Sequence, residues 1–279
     1  MKILSIIFRI IRRTVTELPL LFIRKNTGTD GIIISLTSYP ARLPSLHFVI
    51  RSLLRQSLPA EMIILYLGTD TKDSDIPKSL KKLTAYNFRI KTGYEDLKPH
   101  KKYFFAMQEY RDKIIVTVDD DIMYHKDFLK DLFNSYKNYT DCVHARRVTK
   151  LTVENGKLAK YEKFEYKYTK ILRPSFALLP IGCGGVLYPP SVFKIEDFDS
   201  AAIKQYCLST DDIWLKFLEV KNKVKVVYVP SEYEKDLSVR NTQKTGLFHE
   251  NYQEGNKNDI AFNNLQTFTG INMADFVDY

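Results

Sequence analysis

The feature that most constrains the fold is a hydrophobic run that ends in three consecutive carboxylates. Residues 114–118 are all β-branched, which is typical of a strand buried on both faces of a sheet. Asp119, Asp120 and Asp121 follow at once, and the strand should end there because aspartate is unfavourable in strands. In an open α/β sheet, ligands bind outside the carboxyl ends of the strands. The acids therefore indicate a divalent cation with a phosphorylated ligand; a solvated acidic turn is the alternative.

Strand-like and helix-like patterns alternate before this point. Strands are predicted for residues 31–36, 62–67 and 88–92, and helices for residues 43–58, 77–86 and 103–110. Such alternation is typical of βαβ units with right-handed crossovers, and so of an α/β fold with a mostly parallel sheet. The polar residues after the first strand should then lie beside the carboxylates, and Lys101 or Lys102 could offer positive charge to a diphosphate. The sequence contains neither GxGxxG nor a P-loop, which argues against a dinucleotide site and a P-loop NTPase.

The pattern after the acids is more mixed. It predicts helices over residues 127–138 and 259–268, strands over residues 141–148, 186–188 and 224–229, and a β-hairpin turn at Asn155-Gly156. Three glycines lie within residues 182–185. Glycine allows a backbone to approach a ligand closely, although an ordinary turn before the next strand explains them as well.

Residues 210–214, with the sequence Thr-Asp-Asp-Ile-Trp, open a further predicted helix. Acids in the first turn suit the helix dipole, and Thr210 can serve as N-cap, so a purely structural explanation is complete. A carboxylate at a helix start beside a glycine-rich loop could equally deprotonate an attacking hydroxyl. The local sequence leaves both explanations open.

The charge of the chain is unevenly distributed. The net charge is +9, and residues 1–25 carry +5 of it. A nucleic-acid-binding domain would need a basic stripe on its folded part, so this class is disfavoured. The three cysteines match neither a zinc site nor a disulfide framework, which favours a reducing compartment.

The first 25 residues are the most basic part of the chain. Three arginines interrupt the apolar run, so neither a transmembrane helix nor a signal peptide is predicted. The pattern instead indicates a basic amphipathic helix that suits an anionic membrane surface. Packing against protein is the alternative. We therefore expect a cytoplasmic protein that is peripheral at the inner face of the cell membrane.

Taken in order, five features resemble the inverting glycosyltransferases of the GT-A fold, close to the family 2 type. They are residues 32–39 with their following helix, the acids at 119–121 as a DxD element, residues 182–185, residues 210–214 and His249. The resemblance implies one catalytic domain over residues 30–279. Residues 30–125 would form its nucleotide-sugar half and residues 126–279 its acceptor half, with a small antiparallel hairpin beside the main sheet.

The resemblance also implies a role for each of these residues. The nucleotide-sugar contacts would be Thr37, Ser38, Tyr39, Arg42, Lys102, Asp119 and Asp120. The ligands of Mn²⁺ or Mg²⁺ would be Asp121 and His249. The catalytic base would be Asp212, with Asp211 alongside. The acceptor contacts would be Gly184, Gly185 and Trp214.

The implied reaction moves a sugar from a nucleotide-diphosphate sugar, with a UDP-sugar favoured, to a hydroxyl group with inversion. The acceptor would be a saccharide or a lipid-linked saccharide, as in bacterial surface-polysaccharide or glycolipid synthesis. One rival is a nucleotidyltransferase of similar fold, which usually has a glycine-rich basic loop after its first strand. Residues 37–42 contain no glycine. The other rival is a non-catalytic, membrane-associated carbohydrate-binding protein.

Overall fold

The computed structural model describes residues 28–231, 235–239 and 256–277. The predicted N-terminal helix and His249 lie outside these ranges. The strands are β1 (Thr29–Thr37), β2 (Ala60–Gly68), β3 (Phe88–Tyr94), β4 (Ile114–Thr117), β5 (Ile122–Met123), β6 (Val143–Ala145), β7 (Val148–Lys150), β8 (Val153–Glu154), β9 (Lys157–Leu158), β10 (Leu178–Pro180), β11 (Val186–Tyr188), β12 (Val226–Tyr228) and β13 (Leu237–Ser238). The helices are α1 (Leu43–Leu54), α2 (Lys78–Lys81), α3 (Lys101–Glu109), α4 (Phe128–Tyr136), α5 (Ser200–Tyr206), α6 (Asp211–Lys221) and α7 (Lys257–Thr269).

The central sheet has seven strands in the order β12-β6-β11-β4-β1-β2-β3. The β1, β2, β3 and β4 strands run parallel, as do β6 and β12, whereas β11 is antiparallel to both of its neighbours. The predicted α/β fold with a mostly parallel sheet is therefore confirmed. The β8 and β9 strands form the antiparallel hairpin expected at Asn155-Gly156.

Helices cover both faces of the sheet, and alternating side chains of β1 explain why. Ile33 packs into one buried cluster with side chains of α3 and α6. Ile32 and Ile34 point the other way, into a second cluster with side chains of α1 and α4. A strand with a period of two and apolar residues on both sides requires this layered arrangement. Across the described ranges, no helix has the length and apolar character to cross a bilayer.

The single strand predicted over residues 141–148 is wrong. The chain forms β6 in the central sheet, leaves it at Arg146, and continues as β7 in a separate sheet with β10. Arg146 is fully buried, and its guanidinium donates to Asp236 at 3.0 Å and to the Gly184 carbonyl at 3.3 Å. A buried arginine needs such partners. The pairing with a residue 90 positions away has no signal in the local pattern.

We expect Gly185→Ala to lower the free energy of unfolding by about 3 kcal/mol. Gly185 has φ +82°, and a Cβ there would lie 2.2 Å from the Phe128 ring. Gly156→Ala is the matched control, because Gly156 has φ +73° and a Cβ there would meet nothing within 4 Å. Backbone strain alone should cost it about 1 kcal/mol. Denaturant unfolding measures both variants, and equal losses would contradict the packing argument.

Candidate active site

The three acids lie where β4 ends, at the carboxyl edge of the sheet. Backbone contacts fix the run: the Asp119 N–H donates to the Tyr124 hydroxyl at 2.9 Å. The Val239 N–H donates to the Asp121 carbonyl at 2.8 Å, next to the pairing of β13 with β5. A segment from the far end of the chain is thus held directly against the acids.

Asp120 points inward and is held by residues that follow β1. Its side chain is 9% exposed, accepts a hydrogen bond from the Ser38 hydroxyl at 2.6 Å, and forms an ion pair with Arg42. Arg42 also lies 3.4 Å from an Asp121 oxygen and stacks over the Tyr39 ring at 5.4 Å. The sheet therefore brings Ser38, Tyr39 and Arg42 to the acids, as the strand order predicts. Their contacts with a nucleotide stay predictions.

Lys102 joins the acids to the start of α6. Its side chain is 5% exposed, and its ammonium lies 2.8 Å from Asp119 and 2.8 Å from Asp211. Burial lowers the pKa of Lys102, but the neighbouring carboxylates outweigh burial and hold that pKa well above its ordinary value. The ammonium predicted to meet a diphosphate is therefore engaged by two carboxylates of the protein.

Asp212 faces the glycine-rich segment. The Gly182 N–H lies within hydrogen-bonding distance of both its carboxylate oxygens, at 3.1 and 3.2 Å. A Cβ at Gly182 would lie 2.9 Å from the Lys102 nitrogen and 3.1 Å from an Asp212 oxygen. Glycine is needed here for close approach to the charged groups. The sequence pattern included Gly182 in the glycine-rich segment, but acceptor contacts were predicted only for Gly184 and Gly185.

The two acids at the start of α6 differ in their electrostatics. Burial raises the pKa of Asp212 well above the ordinary value, and the Asp211 charge raises it further. Burial would also raise the pKa of Asp211, but Lys102 and His100 outweigh it and lower that pKa. Neighbouring carboxyl groups whose pKa values are shifted in opposite directions are typical of acid–base sites. Asp211 is the more acidic partner and Asp212 the more basic one.

The capping explanation for these acids is incomplete. Thr210 occupies the N-cap position, but its side chain makes no capping hydrogen bond. Its hydroxyl lies 3.0 Å from the Cys207 sulfur instead. The carboxylates of Asp211 and Asp212 contact Lys102 and Gly182 across the site. Their arrangement therefore serves the site as well as the helix dipole.

Packing explains why the three residues predicted to contact the acceptor occupy their positions. A Cβ at Gly184 would lie 2.6 Å from the Arg147 Cβ, and Gly185 packs against Phe128. Trp214 is 4% exposed in the core beneath the site. On the donor side, the Thr37 hydroxyl donates to the Tyr66 carbonyl at 2.8 Å. Acceptor and donor contacts for these residues stay predictions.

Tyr161 is a neighbour of the site that the sequence pattern missed. Burial raises the pKa of its hydroxyl, and the Asp212 charge raises it further. Its ring centroid lies 5.8 Å from that of Tyr166. No local motif marks Tyr161, since only the fold brings it to a residue 51 positions away.

The donor set fits a hard divalent cation. Five carboxylates face two cationic side chains, within the part of the chain that the structure describes: Asp119, Asp120, Asp121, Asp211 and Asp212 against Arg42 and Lys102. Burial raises the pKa of Asp121 to about 6, with further contributions from Asp119 and Asp120, so a cation would relieve its charge. The described residues contain no group of three or more metal-binding side chains. A Mg²⁺-type site needs fewer protein ligands, because it uses one or two carboxylates together with substrate phosphates.

Comparison with known proteins identifies the class. The sequence profile of "Glycosyl transferase family 2" matches residues 33–187, which is more than half of the chain. The protein therefore belongs to glycosyl transferase family 2, and it is a glycosyltransferase that takes a nucleotide-sugar donor and an acceptor. The matched range includes the acids, Lys102 and Gly182 and ends before Asp211. No protein with a curated description matches the chain.

We expect Lys102→Met to move the acidic limb of the kcat/KM profile for donor hydrolysis to higher pH. Lys102 lowers the pKa of Asp212, so its removal should raise that pKa further and require a higher pH to ionise the carboxylate. The buried carboxylates would also lose their partner, which costs about 3 kcal/mol of unfolding free energy.

Lys101→Met is the matched control for this variant. Lys101 is equally buried at 5% exposure, but it pairs with Asp96 at 2.5 Å, away from Asp212. We expect lower stability and an unchanged acidic limb. A shift of the same size in both variants, or in neither, would contradict the role given to Lys102.

Proposed function

We propose that the protein transfers a sugar from a nucleotide-diphosphate sugar to an acceptor hydroxyl with inversion, and that Asp212 is the catalytic base. The supporting observation is the position of Asp212. Its carboxylate is held by the Gly182 N–H, beside a lysine that reaches back to the acids at the end of β4. The proposed base lies on one side of the Lys102 ammonium, and the edge that would bind the diphosphate lies on the other side. A direct displacement requires both a base and a site for the leaving diphosphate.

In this reaction an Asp212 oxygen accepts the proton of the acceptor hydroxyl. The hydroxyl oxygen attacks the anomeric carbon from the face opposite the diphosphate, and the bond from that carbon to the diphosphate oxygen breaks. The nucleoside diphosphate leaves, and one displacement inverts the configuration. Burial supports this role, because a carboxylate with a raised pKa is a stronger base than an ordinary aspartate.

The donor would bind along the ends of β1 and β4. Thr37, Ser38 and Tyr39 would hold the base and ribose, and Asp119 would face the ribose and phosphates. Asp120 is bonded to Ser38 and Arg42, so it would act mainly by positioning those two side chains. A UDP-sugar is the donor we favour.

Mn²⁺ or Mg²⁺ would be held by Asp121, with His249 as a second ligand from outside the described residues. A divalent cation there would offset the charge that develops on the leaving diphosphate. Arg42, 3.4 Å from Asp121, adds positive charge at the same place.

The acceptor would lie on the α6 side, bordered by Gly184, Gly185 and Trp214. We propose a saccharide or lipid-linked saccharide, in cell-surface polysaccharide or glycolipid synthesis. The charge of +5 in residues 1–25 supports a peripheral position at the cytoplasmic face of an anionic membrane.

We expect Asp212→Asn to lower kcat for sugar transfer by about 10³-fold, since an amide cannot take up the proton. The amide oxygen can still accept from Gly182, so donor affinity measured by calorimetry should be unchanged. The rival, a non-catalytic carbohydrate-binding protein, predicts no donor turnover by either form. Full activity of the variant would remove Asp212 from the mechanism.

We expect Asp121→Asn to abolish the gain in UDP affinity that Mn²⁺ gives the wild-type protein, a gain of at least about ten-fold. Calorimetric titration of UDP with and without Mn²⁺ measures it. Asp112→Asn is the control, because Asp112 is an exposed acid just before the opposite end of β4. A variant that keeps the full Mn²⁺ effect would show that Asp121 is not a ligand.

A further inference from the structure

Outside residues 1–25, the net excess of positive charge falls in one segment. The whole chain carries +9, residues 1–25 carry +5, and residues 157–173 contain six cations and two acids. The segment therefore accounts for the remaining +4, and the rest of the chain is neutral overall. We call residues 157–173 the basic segment.

The basic segment is attached to the folded domain by core packing and by hydrogen bonds. Its Phe164 is 3% exposed in the core. The Tyr161 N–H donates to an Asp259 oxygen of α7 at 2.7 Å. Glu165 exchanges two backbone hydrogen bonds of 3.0 Å with Lys150 of β7. The segment is therefore fixed to the domain, and its outward side chains form a defined surface.

That surface combines exposed cations with exposed apolar groups. Its cations are all exposed: Lys157, Lys160, Lys163, Lys167, Lys170 and Arg173. Leu172 is 59% exposed and Tyr166 is 44% exposed, among the most exposed large hydrophobic side chains in the described residues. Of the two acids, Glu165 is neutralised by Lys150 at 2.6 Å. Cations around a leucine and a tyrosine are typical of a surface that enters a lipid headgroup layer.

The basic segment also borders the glycine-rich segment of the site. Its Tyr168 N–H donates to the Val148 carbonyl at 3.1 Å, and the carbonyl of the preceding Arg147 accepts from the Ile181 N–H, next to Gly182, at 2.9 Å. Burial and, after it, the Asp212 charge raise the pKa of Tyr161 in the same segment. Tyr166, on the exposed side, stacks edge-on near Tyr161 with ring centroids 5.8 Å apart. Arg147, beside Gly184, donates to the Cys183 sulfur at 2.9 Å and completes this wall of the site. A molecule bound to the segment would therefore reach the acceptor side.

We propose that the basic segment docks on an anionic phospholipid bilayer and turns the acceptor side of the site toward it. Four cations near a charged surface give strong attraction, and insertion of Leu172 distinguishes a bilayer from a soluble polyanion, which offers no apolar phase. The docking itself does not depend on the reaction. It rests on the proposed function only for its purpose, which is to reach an acceptor carried on lipid.

The test is binding of the full chain to vesicles of phosphatidylglycerol and phosphatidylcholine, compared with pure phosphatidylcholine, by sedimentation. The test variant is K160Q/K167Q/K170Q/R173Q. The charge-matched control changes four exposed lysines elsewhere: K78Q/K82Q/K130Q/K223Q. Residues 1–25 are intact in every protein. We expect the test variant to lose at least about ten-fold in partitioning to anionic vesicles, while the control binds like the wild type.

A second variant separates lipid from a polyanionic acceptor. Leu172→Ser should weaken vesicle binding and leave heparin binding unchanged. Equal vesicle binding by the wild type and the quadruple variant would overturn the proposal, and so would a wild type that binds heparin but no vesicles. Nucleoside diphosphate release in solution is measured in parallel. Its absence would count against the proposed function, and vesicle binding decides the docking separately.

Discussion

The arrangement of the candidate site depends on the buried ammonium of Lys102. Lys102 lies between Asp119 at the end of β4 and Asp211 at the start of α6. A charge removed from water is stable only with close partners, so the two elements are held at a fixed separation although these aspartates are 92 positions apart in the sequence. The same ammonium lowers the pKa of Asp211, whereas burial and the Asp211 charge raise the pKa of Asp212 and make it the more basic of the two.

Much of the fold could be predicted from local patterns. Local sequence is enough to recognise the β-branched runs as strands and the helical spacing of apolar residues after β1 as a helix. The alternation of strands and helices then predicts a parallel sheet. Two features escaped this reasoning. The antiparallel β11 lies between β4 and β6, and the chain changes sheets at Arg146. Both depend on contacts between residues far apart in sequence, which local periodicity does not record.

The candidate site could be predicted by residue type and position but not by pairing. The edge of a parallel sheet brings Ser38 and Arg42 to the acids, and the sequence pattern anticipates that. It assigns Arg42 and Lys102 to the nucleotide sugar but does not reveal that they pair with Asp120, Asp119 and Asp211. The contact of Gly182 with Asp212 and the position of Tyr161 were missed for the same reason, since both depend on contacts between residues far apart in sequence. Among the described residues, five carboxylates lie around Arg42 and Lys102, and this excess of negative charge links the metal and donor expectations.

The central claim is that Asp212 drives a single displacement at the anomeric carbon. The most direct measurement is ¹H NMR of donor hydrolysis at early times, in the presence of Mn²⁺, with a nucleotide sugar of known α configuration. Water then replaces the acceptor, so the natural acceptor need not be identified. The account predicts that the β-anomer of the free sugar appears first, before mutarotation, together with the nucleoside diphosphate. Initial release of the α-anomer would contradict it.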